Sequence, residues 1–209
     1  MKIGVFDSGK GGLTVLLELR RVLPKAEYIY FGDYENLPYG DKSVEFIRNR
    51  TIEIISDLCN QNVDLIVIAC NTVSSVALNE ARVYSSVPVI DMISPTLLFL
   101  EKYKNIGVAA TTRTVHSGVF KNMKTVACPD LVPLIEANKC VQEAIEGYFS
   151  ELKNSDIVVL ACTHYPIIQD KIEKYLGNIP VINPAVIVAD YVVKFVNENY
   201  RWKVPRKAT

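Results

Sequence analysis

Residues 64–72 read DLIVIACNT and residues 156–164 read DIVVLACTH, so one apolar segment ending in Ala-Cys recurs 92 positions later. The same offset relates VPVID at 87–91 to IPVIN at 179–183. Upstream, IGVFDSG at 3–9 matches IGVAATT at 106–112 with an offset of 103, so the second copy carries a shorter insert. Parallel strands are all rich in Val and Ile and look alike. A shared Asp and a shared Ala-Cys at equal places, in segments of the same order, go beyond that general likeness. The repeat predicts two similar units related by approximate two-fold symmetry.

Strand-like runs fall at 2–6, 28–32, 64–69, 87–90, 105–109, 156–161 and 179–182, separated by helical stretches. The clearest of these is 42–61, where Val44, Ile47, Ile54, Ile55 and Leu58 share a face. The strands are apolar throughout rather than alternating, as parallel strands covered by helices on both faces are. The expected fold class is therefore α/β: two pseudo-symmetric lobes, each a mainly parallel sheet flanked by helices, with the active site in the cleft between them.

Composition removes several classes of function. The 209 residues include 23 basic and 23 acidic side chains, so no positive excess exists to neutralise phosphates and a nucleic-acid partner is not expected. Hydrophobic residues at 49% are ordinary for a globular chain and exclude a disordered one. The N-terminal run reads as a strand rather than a secretory signal. No apolar stretch is long enough for a bilayer, so no membrane association is expected. The five cysteines, Cys59, Cys70, Cys128, Cys140 and Cys162, lack CxxC spacing. Neither a disulfide framework nor a metal site is expected, and a reducing cytoplasm is the natural compartment.

In open α/β sheets functional groups gather at the carboxyl ends of strands. Cys70 and Cys162 both stand there, followed by Asn71, Thr72 and Ser74 in one copy and by Thr163, His164 and Tyr165 in the other. A helix start beside each thiol would lower its pKa and favour thiolate. A lone cysteine is usually plain core. Two at equivalent strand ends suit a reaction that removes a proton from one face of a carbon and returns one to the other. Asp7 ends the first strand, where it could assist a thiol or simply cap the next helix. His164, two residues after Cys162, is placed to serve that thiol; His116 has no such context.

The glycine loop has part of the pattern of a phosphate site. Residues 4–10 match GxxxxGK, but Gly11 follows where a P-loop needs Ser or Thr for magnesium. A strand–turn–helix whose backbone N–H groups approach an anion, such as an amino-acid carboxylate, fits better. A nucleotide enzyme and a non-catalytic amino-acid-binding module remain as competing classes.

With GVFDSGKGGLTV at 4–15, ENLPYG at 35–40, IACNT at 68–72, CPDLVPLIE at 128–136 and ACTHYP at 161–166, the sequence resembles the cofactor-independent aspartate/glutamate racemase family over most of its length. The resemblance implies no cofactor and no metal. It implies a catalytic set of Cys70, Cys162, Asp7, Glu136 and His164, the two thiols as acid/base groups and the others assisting. Substrate contacts would come from Asp7, Ser8, Pro38, Tyr39, Gly40, Asn71, Thr72, Thr111, Thr114, Thr163 and His164. It suggests Cys70 for the D enantiomer and Cys162 for the L enantiomer. His164 after Cys-Thr points to glutamate rather than aspartate or another amino acid, with D-glutamate supplied to peptidoglycan. A homodimer is compatible with it. It also places chain crossings after 91 and 183, giving a first lobe of 1–94 plus 184–209 and a second of 95–183. Lys10, Val73 and Asn183-Pro184 depart from the family pattern, and the chain is shorter than typical members.

Overall fold

The computed structural model describes residues 1–200; the stretch 201–209, expected in the first lobe, lies outside the described residues. In chain order the elements are β1 (Lys2–Asp7), α1 (Leu13–Val22), β2 (Glu27–Gly32), α2 (Val44–Asn60), β3 (Leu65–Ile68), α3 (Asn71–Val76), α4 (Leu78–Tyr84), β4 (Val89–Ile90) and α5 (Ile93–Leu100). They continue as β5 (Ile106–Ala110), α6 (Thr112–His116), β6 (Lys124–Ala127), α7 (Leu131–Glu136), α8 (Gln142–Ser150), β7 (Ile157–Ala161), α9 (Gln169–Leu176), β8 (Val181–Ile182) and α10 (Pro184–Asn199). Short 3-10 turns cover Tyr34–Asn36, Tyr39–Asp41 and Tyr165–Ile168.

The strands form two four-stranded parallel sheets of the same order, β2-β1-β3-β4 and β6-β5-β7-β8. The repeat reproduces their register. Ile3 pairs with Leu65 as Ile106 pairs with Ile157, and Ile66 pairs with Val89 as Val158 pairs with Val181. The two-lobed α/β expectation therefore holds. Strand β6 carries only Val126 and Ala127 as apolar residues, which is why the apolar pattern passes over it.

Each sheet is covered on both faces. Ile3, Val5, Leu65 and Val67 face α1 and α10, while Phe6, Ile66 and Ile68 face α2, α3 and α4. In the second sheet Ala109, Val158 and Leu160 face α7, α8 and α9, and Ile106, Val108 and Val159 face α5. A fully buried side chain such as Leu19 or Leu58 contributes about 1.5–3 kcal/mol by leaving water. Val73, one of the departures from the family, is completely buried in this packing.

Equivalent positions also do equivalent local work. Asp91 Oδ1 accepts from the N–H groups of Ile93 and Ser94 at 2.7 and 2.8 Å. Asn183, 92 positions on, accepts from Ala185 N–H at 3.0 Å and caps α10, with Pro184 in the first helical position. The Asn therefore serves the helix start that its Asp counterpart serves in the first copy.

Candidate active site

Strand order explains where the site lies. In each sheet the central pair, β1/β3 or β5/β7, is the point at which connections leave in opposite directions, and the crevice beyond their carboxyl ends is the natural binding place. Asp7 and Ser8 leave β1 there, Cys70 leaves β3, Thr111 leaves β5 and Cys162 leaves β7. The two crevices face one another and close a small cavity of about 20 Å³. Ser8, Pro38, Tyr39, Gly40, Cys70, Asn71, Thr72, Thr111, Cys162, Thr163 and His164 line it. Leu37 and Val132 complete the wall, and as apolar residues they carry no sequence signal of the role.

Three expected residues stand behind this lining rather than in it. Thr114 is fully buried; its hydroxyl accepts a hydrogen bond from Thr111 Oγ1 at 3.0 Å, so it supports Thr111 instead of facing the cavity. Asp7 is also fully buried, accepting from Gly9 N–H at 3.0 Å and from Thr163 Oγ1 at 3.2 Å, the latter across the lobes. Glu136, at the end of α7, meets the site through His164: Nε2 and Glu136 Oε1 are 2.6 Å apart.

The thiols have different company. Cys70 donates to Ser8 Oγ at 3.6 Å, and Cys162 Sγ lies 4.0 Å from His164 Nδ1. Their acidity corrects the helix-start expectation. Burial, then the nearby Asp7 charge, pushes Cys70 up to about 11. Burial also pushes Cys162 well above the ordinary thiol range, with backbone hydrogen bonding near His164 opposing it. Helix α3 is only six residues long, and the turn after Cys162 is of 3-10 type, so neither supplies enough dipole to offset desolvation. Both thiols rest protonated. Burial likewise raises Asp7, against the pull of His164.

The glycines serve close packing. A Cβ on Gly11 would stand 2.5 Å from both His164 Nδ1 and Thr163 Oγ1, so only glycine lets this loop pass over the second lobe's strand end. The Gly9 amide of this loop is taken by Asp7. An orphan donor lies elsewhere: Asn71 Nδ2 is buried without a hydrogen-bond partner in a residue that lines the cavity. Such a group calls for an acceptor from a ligand.

Tyr39 is fixed from behind. Its hydroxyl donates to Asp33 at 2.5 Å, and Asp33 also pairs with Arg50 at 3.0 Å. Burial raises Asp33, but bonds from Arg50, Tyr39 and Asn36 outweigh it and hold the carboxyl below its ordinary value. Pattern reading missed this network because its members span 17 positions of turn and helix. Among the described residues no group of three or more His, Cys, Asp or Glu side chains is arranged for a metal ion.

Comparison with known proteins gives this geometry its family. The sequence pattern described as Asp/Glu/Hydantoin racemase matches residues 14–192. The chain belongs to that family. A glutamate racemase from Thermoanaerobacter pseudethanolicus is 40% identical, over 92% of this chain and 81% of the relative. The crystal structure of glutamate racemase from Francisella tularensis in complex with D-glutamate matches with a TM-score of 0.90 at 32% identity, covering 100% of this chain and 84% of the other. That of Thermus thermophilus glutamate racemase in complex with beta-chloro-D-alanine matches with a TM-score of 0.88 at 36% identity, covering 94% and 80%. Racemase family membership and the two-lobed architecture thus agree.

Proposed function

We propose that the chain is a cofactor-independent racemase that interconverts L- and D-glutamate, with Cys70 and Cys162 as the two proton-transfer groups. The observation that carries this reading is the presence of one thiol from each lobe in the wall of the same cavity. One cysteine as thiolate takes the α-proton, leaving a carbanion stabilised by the adjacent carboxylate. The other, as thiol, delivers its proton to the opposite face. The first cysteine ends as thiol and the second as thiolate, so protons and charge balance.

The resting thiols are too weakly acidic to be bases, so activation must accompany binding. A substrate ammonium brings positive charge beside them, which favours thiolate. For Cys162 the proton acceptor is His164 Nδ1, and for Cys70 it is the Asp7 carboxylate, whose charge lies beside that thiol. The Asn71 amide and the hydroxyls of Ser8, Thr72, Thr111 and Thr163 suit the two carboxylates. A cavity of about 20 Å³ has room for about one water, so the lobes must part to admit an amino acid.

The reading extends to a division into residues 1–94 plus 184–209 and 95–183, supported by the burial of Ala185, Val188, Val192 and Val196 in the first sheet's core. It extends also to a cytoplasmic setting with D-glutamate supplied to peptidoglycan and to a homodimer compatible with the family. No described helix is long and apolar enough to cross a membrane. The deciding experiment is incubation with L-glutamate in deuterated water. Appearance of D-glutamate carrying α-deuterium supports the proposal; glutamate that binds but never exchanges its α-proton overturns it in favour of a binding module.

A further inference from the structure

Lys10 belongs to the loop after β1, yet its ammonium reaches into the second lobe. Nζ lies 2.7 Å from Glu136 Oε2 and donates to the Glu136 backbone carbonyl at 3.3 Å. Glu136 is the last residue of α7, so its backbone carbonyl has no donor within the helix. Lysine therefore answers both the carboxylate and the unpaired helix-end carbonyl. With Oε2 engaged, Oε1 faces His164 Nε2 at 2.6 Å. A carboxylate that only accepts leaves the proton on Nε2, and in the neutral form of the ring Nδ1 then keeps its lone pair. That nitrogen faces the Cys162 sulfur at 4.0 Å. Gly11, the next residue, leaves room for the same ring, since a Cβ there would stand 2.5 Å from Nδ1.

We propose that Lys10 is a positioning residue, holding Glu136 so that His164 presents an unprotonated Nδ1 to the Cys162 thiol. The kinetic part rests on the two-thiol racemase reading; the tautomer part does not. Among the described residues no histidine stands beside Cys70, whose sulfur neighbour is Ser8.

Only two histidines are present, His116 and His164, so nitrogen-15 ring spectra of the full chain are assignable with His116→Gln. The intact chain should show a single tautomer at His164, protonated at Nε2, with a strongly downfield Nε2–H proton. Lys10→Met should give averaged tautomers and lose that proton, Lys10→Gln should behave likewise, and Lys10→Arg should restore the parental pattern. In parallel, elimination from substrates bearing a β-leaving group is measured in Cys70→Ser and Cys162→Ser backgrounds. Adding Lys10→Met should slow the Cys162-dependent reaction about tenfold, as loss of a charged hydrogen bond does, and the Cys70-dependent one far less. An unchanged His164 spectrum, or equal slowing of both reactions, overturns the proposal. If neither single-thiol protein eliminates even with Lys10 present, the racemase reading fails while the spectrum still decides the role of Lys10.

Discussion

Thr72 Oγ1 and Thr111 Oγ1 lie 3.0 Å apart, joining the first turn of α3 in one lobe to the residue before α6 in the other. Thr111 is also the N-cap of α6, accepting from Thr114 N–H at 3.3 Å. One hydroxyl thus caps a helix, closes the cleft and lines the cavity.

Thr111→Val keeps the shape and removes those bonds. Urea unfolding should show a loss of about 1 kcal/mol from the cap. If substrate carboxylates use this hydroxyl, KM for glutamate should rise more than kcat falls. An unaltered KM would remove Thr111 from the substrate contacts.

Cys70→Ser and Cys162→Ser should each reduce racemisation by orders of magnitude, because a hydroxyl is a far weaker acid than a thiol. Each should still eliminate a β-leaving group, from opposite enantiomers. Chiral analysis of the residual substrate reads the outcome, and preference of both variants for one enantiomer would sink the two-thiol mechanism.

Gly11→Ala introduces a methyl 2.5 Å from His164 Nδ1 and Thr163 Oγ1. The strand end and the loop must separate, at about 1–3 kcal/mol of overpacking strain. Thermal unfolding should register that loss, and activity at temperatures well below the transition should fall as well, because His164 is displaced. Full activity in a destabilised protein would mean that the ring position is unimportant.

Alkali should weaken the fold through Cys70. Its thiol holds the proton up to about 11 in the folded chain against an ordinary 9.0. Stabilisation is complete below about pH 9 and is lost as pH rises toward 11, because there the unfolded chain binds fewer protons than the folded one. The change is about 3 kcal/mol for a fully buried group. Cys70→Ala should flatten this part of the stability–pH curve; an identical slope in both proteins would contradict the burial account.

The repeat made the architecture legible because strand pairing copies sequence spacing. A 92-residue shift carries Ile66–Val89 onto Val158–Val181 without adjustment. The thiols and most of the cavity wall were legible because they follow strand ends directly. Thiol acidity was not, since a local helix-start argument cannot weigh complete burial. Glu136 came from family likeness alone; its link to His164 and Lys10 is made by folding, across separations of 28 and 126 positions. The retreat of Thr114 and Asp7 behind the lining has the same origin, for only packing decides which of several polar neighbours faces a cavity.

The unlike partners of the two thiols, Ser8 for Cys70 and His164 for Cys162, have a further consequence under the two-thiol reading. Mirror-image substrates have equal free energy, so the final mixture is even whatever surrounds the sulfurs, and kcat/KM must be the same in both directions. The inequality acts on the free protein instead. Each turnover leaves the protons in the arrangement opposite to the one it began with, so the catalyst just freed of product is primed for the enantiomer it has made until it regains its doubly protonated rest. Unequal partners give the two product-freed arrangements different speeds of return to that rest. At high substrate flux that relaxation, rather than carbon–hydrogen cleavage, becomes the step that limits the cycle.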